Sequence, residues 1–253
     1  MQHATPDRDA PPGPDPGPDA GPSGAPVGRR VVLGLLGLGA LGVVVGARVQ
    51  DFLERTLAPV AAKDFTGVAN LLPFGRFRIY TVTGSLPSRK PRDWSLRIDG
   101  MVDAPLTLSF AELTAMEPTS LTRDFQCVTG WRVSDVAWKG VRLADLLDRA
   151  GVKAGAAAVR FTSFDGAYTE SLTLEQARRR DVIVAYEMEG GPLSSAHGGP
   201  VRLYVAPMYG YKSIKWLDGI VVTDRVVPGY WEQRGYDVDA WVGRSNGRDD
   251  EAT

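Results

Sequence analysis

The chain of 253 residues contains one cysteine, Cys127, and two histidines, His3 and His197. A single thiol excludes an internal disulfide framework. Structural zinc takes about four Cys or His ligands, and a blue-copper site needs two imidazoles beside its thiolate, so neither set is available. A net charge of −1 supplies no basic field for nucleic acid, and the short run Arg178-Arg179-Arg180 reads as a solvated helix end. No internal repeat and no Gly-rich βαβ fingerprint is present, which speaks against a nicotinamide-binding fold. What remains is the composition of an ordinary folded core, 43% hydrophobic and 23% charged.

Large apolar side chains are also nearly missing from residues 1–28, a stretch of Pro, Gly, Ala and Asp. Such a segment buries too little surface to offset the entropy of ordering, so it is expected to be a disordered cytoplasmic tail, and His3 goes with it. Residues 29–48 begin with Arg29-Arg30 and continue as a Gly-rich apolar run without charge until Arg48. The pattern reads as a twin-arginine export signal, either removed near Val45-Gly46-Ala47 or kept as a membrane anchor. Five glycines argue against a buried core helix, each costing up to about 1 kcal/mol relative to alanine. The positive-inside tendency then places the folded part on the extracytoplasmic side. Residues 49–72 read as a linker, 73–244 as the folded domain, and 245–253 as a second disordered tail.

Within the domain, Trp94, Leu96 and Ile98 alternate with Ser95, Arg97 and Asp99, the period of a half-buried strand. Further strands are expected at 159–164, 182–188, 201–206 and 214–223. Ser109-Phe110-Ala111-Glu112 and Thr173-Leu174-Glu175-Gln176 fit capping boxes that open short helices. Leu143, Leu146, Leu147 and Ala150 form a helical stripe ending at Gly151, which predicts a helix over 141–150. Short helices among many strands define an α+β fold with mixed sheets.

Three readings are open for Cys127: a small buried hydrophobe, a nucleophile paired with His197, or a one-thiolate metal ligand. A thiolate is a soft donor suited to a metal that changes oxidation state. Downstream, His197-Gly198-Gly199-Pro200-Val201-Arg202 offers an imidazole, a turn whose small residues would let backbone amides approach an anion, and a guanidinium that can fork onto phosphate. Tyr211-Lys212-Ser213-Ile214-Lys215-Trp216 adds ammonium and hydroxyl donors.

Taken in order, Phe125-Gln126-Cys127, His-Gly-Gly-Pro-Val-Arg and Tyr-Lys-Ser-Ile-Lys-Trp resemble the molybdopterin-binding domain of the sulfite oxidase family over roughly residues 74–243. The resemblance implies a molybdenum–molybdopterin cofactor. Cys127 would be the protein's metal ligand beside the pterin's two dithiolene sulfurs. Tyr80, Thr81, His197, Arg202, Lys212, Ser213 and Lys215 would hold the pterin and its phosphate, and Asp165 would lie near the metal. Apart from the resemblance, Trp131, Arg132 and Trp138 follow the cysteine closely; they either line a substrate mouth, where Arg132 would hold an oxyanion or a polar sulfoxide, or, for the two indoles, belong to the core. The implied activity is oxygen-atom transfer on a small sulfur-containing substrate. Electrons would be exchanged with a separate partner, a membrane cytochrome or quinone-linked protein, because the folded domain has only His197 and so lacks the second histidine of a bis-histidine haem. The arginine cluster that grips sulfite in true sulfite oxidases has no match, and the plan looks closer to exported bacterial sulfoxide reductases. A thiol hydrolase and a non-catalytic scaffold that keeps the fold are the alternatives.

Overall fold

The computed structural model describes residues 77–251, so the tail, signal or anchor, and linker expected at 1–72 lie outside the described residues. No helix among the described residues is long and apolar enough to cross a membrane. The described residues form two five-stranded sheets carrying three short helices.

The first sheet contains β1 (Ser95–Gly100), β2 (Leu106–Ser109), β5 (Ala158–Ser163), β6 (Thr169–Thr173) and β10 (Leu217–Thr223), in the order β2-β1-β10-β5-β6. The β1–β10 pair is parallel, with Arg97 opposite Gly219 and Ile98 opposite Ile220, so the two ends of the described domain are joined in one sheet. The second contains β3 (Thr119–Gln126), β4 (Arg132–Arg142), β7 (Val182–Met188), β8 (Gly191–Pro192) and β9 (Arg202–Val205). There β3-β4-β7-β8 run in order, and β9 also pairs with β7.

Both capping boxes form as read. The Ser109 backbone N–H donates to Glu112 Oε2 at 2.8 Å at the head of α1 (Phe110–Thr114), and Thr173 and Gln176 do the same for α3 (Leu174–Ala177). Helix α2 (Leu143–Ala150) buries the expected leucines and ends at Gly151, whose φ of +70° only glycine adopts readily. It starts two residues later than the stripe suggested, because β4 runs through Val141 and Arg142 first.

Strand period decides what faces the site. On β7, Val182, Val184 and Tyr186 enter the main core, while Ile183 and Ala185 join a second cluster with Phe125, Trp131, Trp138 and Tyr204. Both faces of β7 are covered, so the strand is apolar throughout its first five residues. On β9, Leu203 and Val205 take the main core, which turns Arg202 and Tyr204 toward the aromatic cluster. One strand expectation changes: residues 214–216 form a loop before β10, with Trp216 at φ +55°. Residues 77–82 have no regular structure.

Residues 245–251, expected as a disordered tail, are hydrogen-bonded to the domain. Arg248 and Asp250 pair there, and Tyr209 Oη donates to Asp250 at 2.8 Å. Composition suggested a solvated end, but Asn246 and Asp250 find partners on the fold.

Candidate active site

A cavity of about 330 Å³ opens where the end of β3, the loop before β9 and the loop before β10 converge. One wall is aromatic and carries the thiol, and the other is polar.

Cys127 begins a tight turn between β3 and β4. Its N–H donates to the Trp131 carbonyl at 2.9 Å, and the Gly130 N–H donates back to the Cys127 carbonyl at 3.0 Å. Gly130 has φ +101°, which explains the glycine. The half-buried sulfur accepts from Thr129 Oγ1 at 3.2 Å. Beside it, Trp131 stacks on Phe125 with centroids 5.7 Å apart, Tyr80 lies nearly parallel to Trp131 at 6.5 Å, and Phe77 meets Trp131 edge-on.

The polar wall brings together His197, Ser213, Lys215, Asp165 and Tyr168. His197 sits in a single turn capped by Ser194, and its ring packs edge-on against Phe77 at 4.8 Å. Burial first, then the charges of Arg202 and Lys215, lower its pKa, so the imidazole is neutral at pH 7. Among the described residues it makes no hydrogen bond to the thiol, which removes the geometric basis of a Cys-His dyad. Lys215 Nζ donates to the Tyr80 carbonyl at 2.5 Å and so ties residues 77–82 across the cavity. Burial and the Arg202 charge lower its pKa to about 8, against an opposing pull from Asp165. Between about pH 8 and the ordinary 10.5, the unfolded chain holds a proton that the folded one lacks; this group's contribution to stability therefore rises with pH across that window.

Asp165 accepts from the N–H groups of Ala167 and Tyr168, both at 2.9 Å, through Oδ1. Its Oδ2 is buried without a partner, as is Trp131 Nε1. Unpaired buried polar atoms are costly, and these two belong to residues that line the cavity, as expected where a polar ligand completes the structure.

Several sequence expectations need correction. Arg132 does not line the cavity. Its guanidinium bonds Gln126 Oε1 and the Glu251 carbonyl and pairs with Asp124 at 3.5 Å, because β4 begins there and turns the side chain away. Trp138 is buried and stacked on Tyr204 at 4.3 Å, also outside the cavity.

Lys212 is fully buried, and its ammonium donates to Glu170 at 2.7 Å, to the Ser171 carbonyl at 3.0 Å and to Glu232. With three donors and three acceptors, nothing remains for a cofactor.

Arg202 reaches the cavity, but its donors go to the carbonyls of His197 (2.9 Å), Ser213 (2.7 Å) and Leu203 (3.3 Å), with its face toward Phe125 and Trp138. It fastens the two polar loops together, which leaves two of its five N–H donors for a ligand.

The glycines after His197 also differ from expectation. Gly198 and Gly199 N–H groups donate to Ser195 and Ser194 carbonyls, and a Cβ on either would strike Lys215 or the Leu193 carbonyl. They allow close packing instead of presenting amides to a ligand. Tyr80, Thr81, Ser213 and Lys215 do line the cavity. Sequence reasoning missed Tyr168, Glu170 and Glu232, whose neighbours in space lie 20 to 43 residues away along the chain.

The donor set has a clear chemical character. No group of three or more His, Cys, Asp or Glu able to hold a metal gathers among the described residues, so a metal beside Cys127 must bring most of its own ligands. One thiol facing a polar wall, with an orphaned carboxylate oxygen, fits a metal carried by a pterin.

A family profile described as the oxidoreductase molybdopterin binding domain matches residues 83–231, and the chain belongs to this family. It is 38% identical over 162 residues to the uncharacterized oxidoreductase YuiH of Bacillus subtilis (strain 168), covering 63% of this chain and 81% of that protein. It is 28% identical over 235 residues to the protein-methionine-sulfoxide reductase catalytic subunit MsrP of Ralstonia nicotianae, covering 80% and 71%. A 31% match to the sulfite oxidase of Arabidopsis thaliana spans 57% of this chain but only 46% of that one. The sulfane dehydrogenase SoxCD of Paracoccus pantotrophus shares the fold, with a TM-score of 0.52 at 24% identity over 56% of this chain and 41% of that one. The protein is therefore a molybdopterin-dependent oxidoreductase of the sulfite oxidase type, with an α+β fold.

Proposed function

We propose that this enzyme exchanges an oxygen atom with a small, uncharged organic sulfur compound such as a sulfoxide. Cys127 would supply the protein's one bond to molybdenum, and the bound cofactor would supply the oxygen-atom transfer and two-electron redox chemistry. His197, Ser213, Lys215, Asp165 and the backbone around Tyr80 and Thr81 would hold the pterin. Arg202 would keep the loops of His197 and Ser213 in register behind it.

The observation that carries the substrate reading is the wall next to the thiol. Phe77, Tyr80, Phe125 and Trp131 form it, while Arg132 and Arg248, which contact the cysteine turn, are paired with Asp124 and Asp250, and the cations of the cavity itself are Arg202, Lys215 and the exposed Arg78. Aromatic rings favour a polarisable sulfur with an apolar substituent, whereas a small oxyanion requires unpaired cations. In the cofactor-loaded enzyme, reduction of methyl p-tolyl sulfoxide by a reduced viologen dye should exceed sulfite oxidation by ferricyanide in kcat/KM. Rapid sulfite oxidation without sulfoxide reduction would overturn the assignment.

Lys215 adds a pH test. With its pKa near 8, the charge that would meet the cofactor phosphate is mostly present at pH 7 and mostly lost at pH 9. Pyrophosphate binding to cofactor-free protein, measured by calorimetry, should weaken about tenfold across that span relative to a Lys215→Met variant. Parallel pH dependence in both proteins would remove Lys215 from the site.

The arginine pair and apolar run at 29–48 would direct export or anchor the enzyme, and its electrons would pass to or from a separate partner such as a membrane cytochrome.

A further inference from the structure

We propose that residues 245–251 form a strap that fixes the turn carrying Cys127, with Arg248 as its positioning residue. The segment lies beyond the residues matched by the family profile and lines no part of the cavity.

Two contacts join it to the turn. Arg248 Nη2 stands only 2.9 Å from where a Cβ on Gly130 would be, so the end of the guanidinium abuts the glycine. The second contact runs through Arg132, the residue immediately after Trp131. It bonds the side chain of Gln126, just before Cys127, and the carbonyl of Glu251 in the strap. Both ends of the turn are thus tied to each other and to the same segment.

The strap is itself anchored to the core. Arg248 forks onto Asp250, with Nε donating to Oδ2 at 2.8 Å and Nη2 to Oδ1 at 3.1 Å. Asp250 Oδ2 also accepts from Tyr209 Oη at 2.8 Å, and Tyr209 is fully buried. Further along, Asn246 Nδ2 donates at 3.0 Å to Tyr211 Oη, and Tyr211 lines the cavity. A planar guanidinium held at two points by a carboxylate is a rigid surface on which to seat a backbone turn.

Gly130 therefore meets two demands. Its φ of +101° disfavours any side chain, and the space a Cβ would need is filled by Arg248. A metal ligand gains from such backing, because a ligand whose supports are lost binds about 10- to 100-fold more weakly. The structural part of the proposal stands by itself, whereas its effect on metal retention rests on the reading of Cys127 given above.

The test compares wild-type protein, Arg248→Ala, Arg248→Lys and Asp250→Asn, all purified with cofactor, by hydrogen exchange of peptides covering residues 124–132. Arg248→Ala and Asp250→Asn should speed exchange of the Cys127 and Gly130 amides about tenfold, the size of one lost charge-assisted contact, while the core strands keep their protection. Arg248→Lys should recover part of the protection. In the loaded protein, the thiolate-to-molybdenum absorption band should shift in Arg248→Ala at unchanged Tm. Unchanged exchange at 124–132 in both variants, or protection lost evenly across all strands, would overturn the strap. Local exchange changes in protein that never holds molybdenum would keep the strap and reject the metal-ligand reading instead.

Discussion

Replacing Cys127 with serine should reduce oxygen-atom transfer to background while leaving the fold standing. The residue follows β3 and is only half-buried, and its backbone bonds to Trp131 and Gly130 do not depend on the side chain. Thr129 Oγ1, which donates to the sulfur, can donate to a hydroxyl equally well. The stability change should stay under about 1 kcal/mol, or about 3 °C in Tm for a domain of this size. The chemical change is far larger, because a neutral hydroxyl cannot replace a soft, electron-rich thiolate on a metal that must change oxidation state. Turnover of sulfoxide or sulfite at more than a trace in Cys127→Ser, in protein with wild-type Tm, would refute this role.

The second large effect lies behind the cavity. Lys212 is held between Glu170 and Glu232, and all three are essentially without exposure. Burial, partly offset by Lys212 and reinforced by Glu232, raises the pKa of Glu170 well above the ordinary carboxylate value. Lys212→Met leaves two carboxyl groups facing each other in a dry site. Breaking a buried pair by removing one partner costs about 3–5 kcal/mol, which corresponds to about 10 °C or more in Tm. Because the penalty comes from ionised carboxylates, it should be largest at neutral pH and shrink as pH falls and protons bind. Glu232→Gln keeps one ammonium with one carboxylate and should remain close to wild type. Differential scanning calorimetry at pH 7 and pH 5 separates these expectations, and a Lys212→Met protein as stable as wild type at pH 7 would contradict them.

This cluster shows where sequence reading stopped. The two-residue alternation in β1, the capping boxes at Ser109 and Thr173, and the leucine stripe of α2 are local signals, and each produced the element expected. The cavity residues Cys127, His197, Ser213 and Lys215 were legible because a run of motifs placed them together. What a donor does with its hydrogen bonds was not legible. Lys212 and Lys215 lie three residues apart in one motif, yet one is consumed by Glu170 and Glu232 and the other reaches across the cavity to Tyr80. Arg202 and Arg132 were read as free cations for the same reason, although strand register and the returning segment at 245–251 engage both. These partners come from distant parts of the chain, and no spacing rule joins them.

The same register explains why the aromatic wall forms. Tyr204 on β9 and Ile183 on β7 are cross-strand partners facing away from the main core, so Trp138 and Phe125 gather on that side. Arg202 faces the same cluster, its charge satisfied by carbonyls and ring faces. Burial lowers its pKa to about 10, which still leaves it charged at neutral pH.

The most direct measurement is molybdenum X-ray absorption on the cofactor-loaded protein beside its Cys127→Ser variant. The wild-type spectrum should require one more sulfur neighbour than the variant's, the thiolate of Cys127. Equal sulfur counts in two equally loaded proteins would show that the cysteine does not bind the metal.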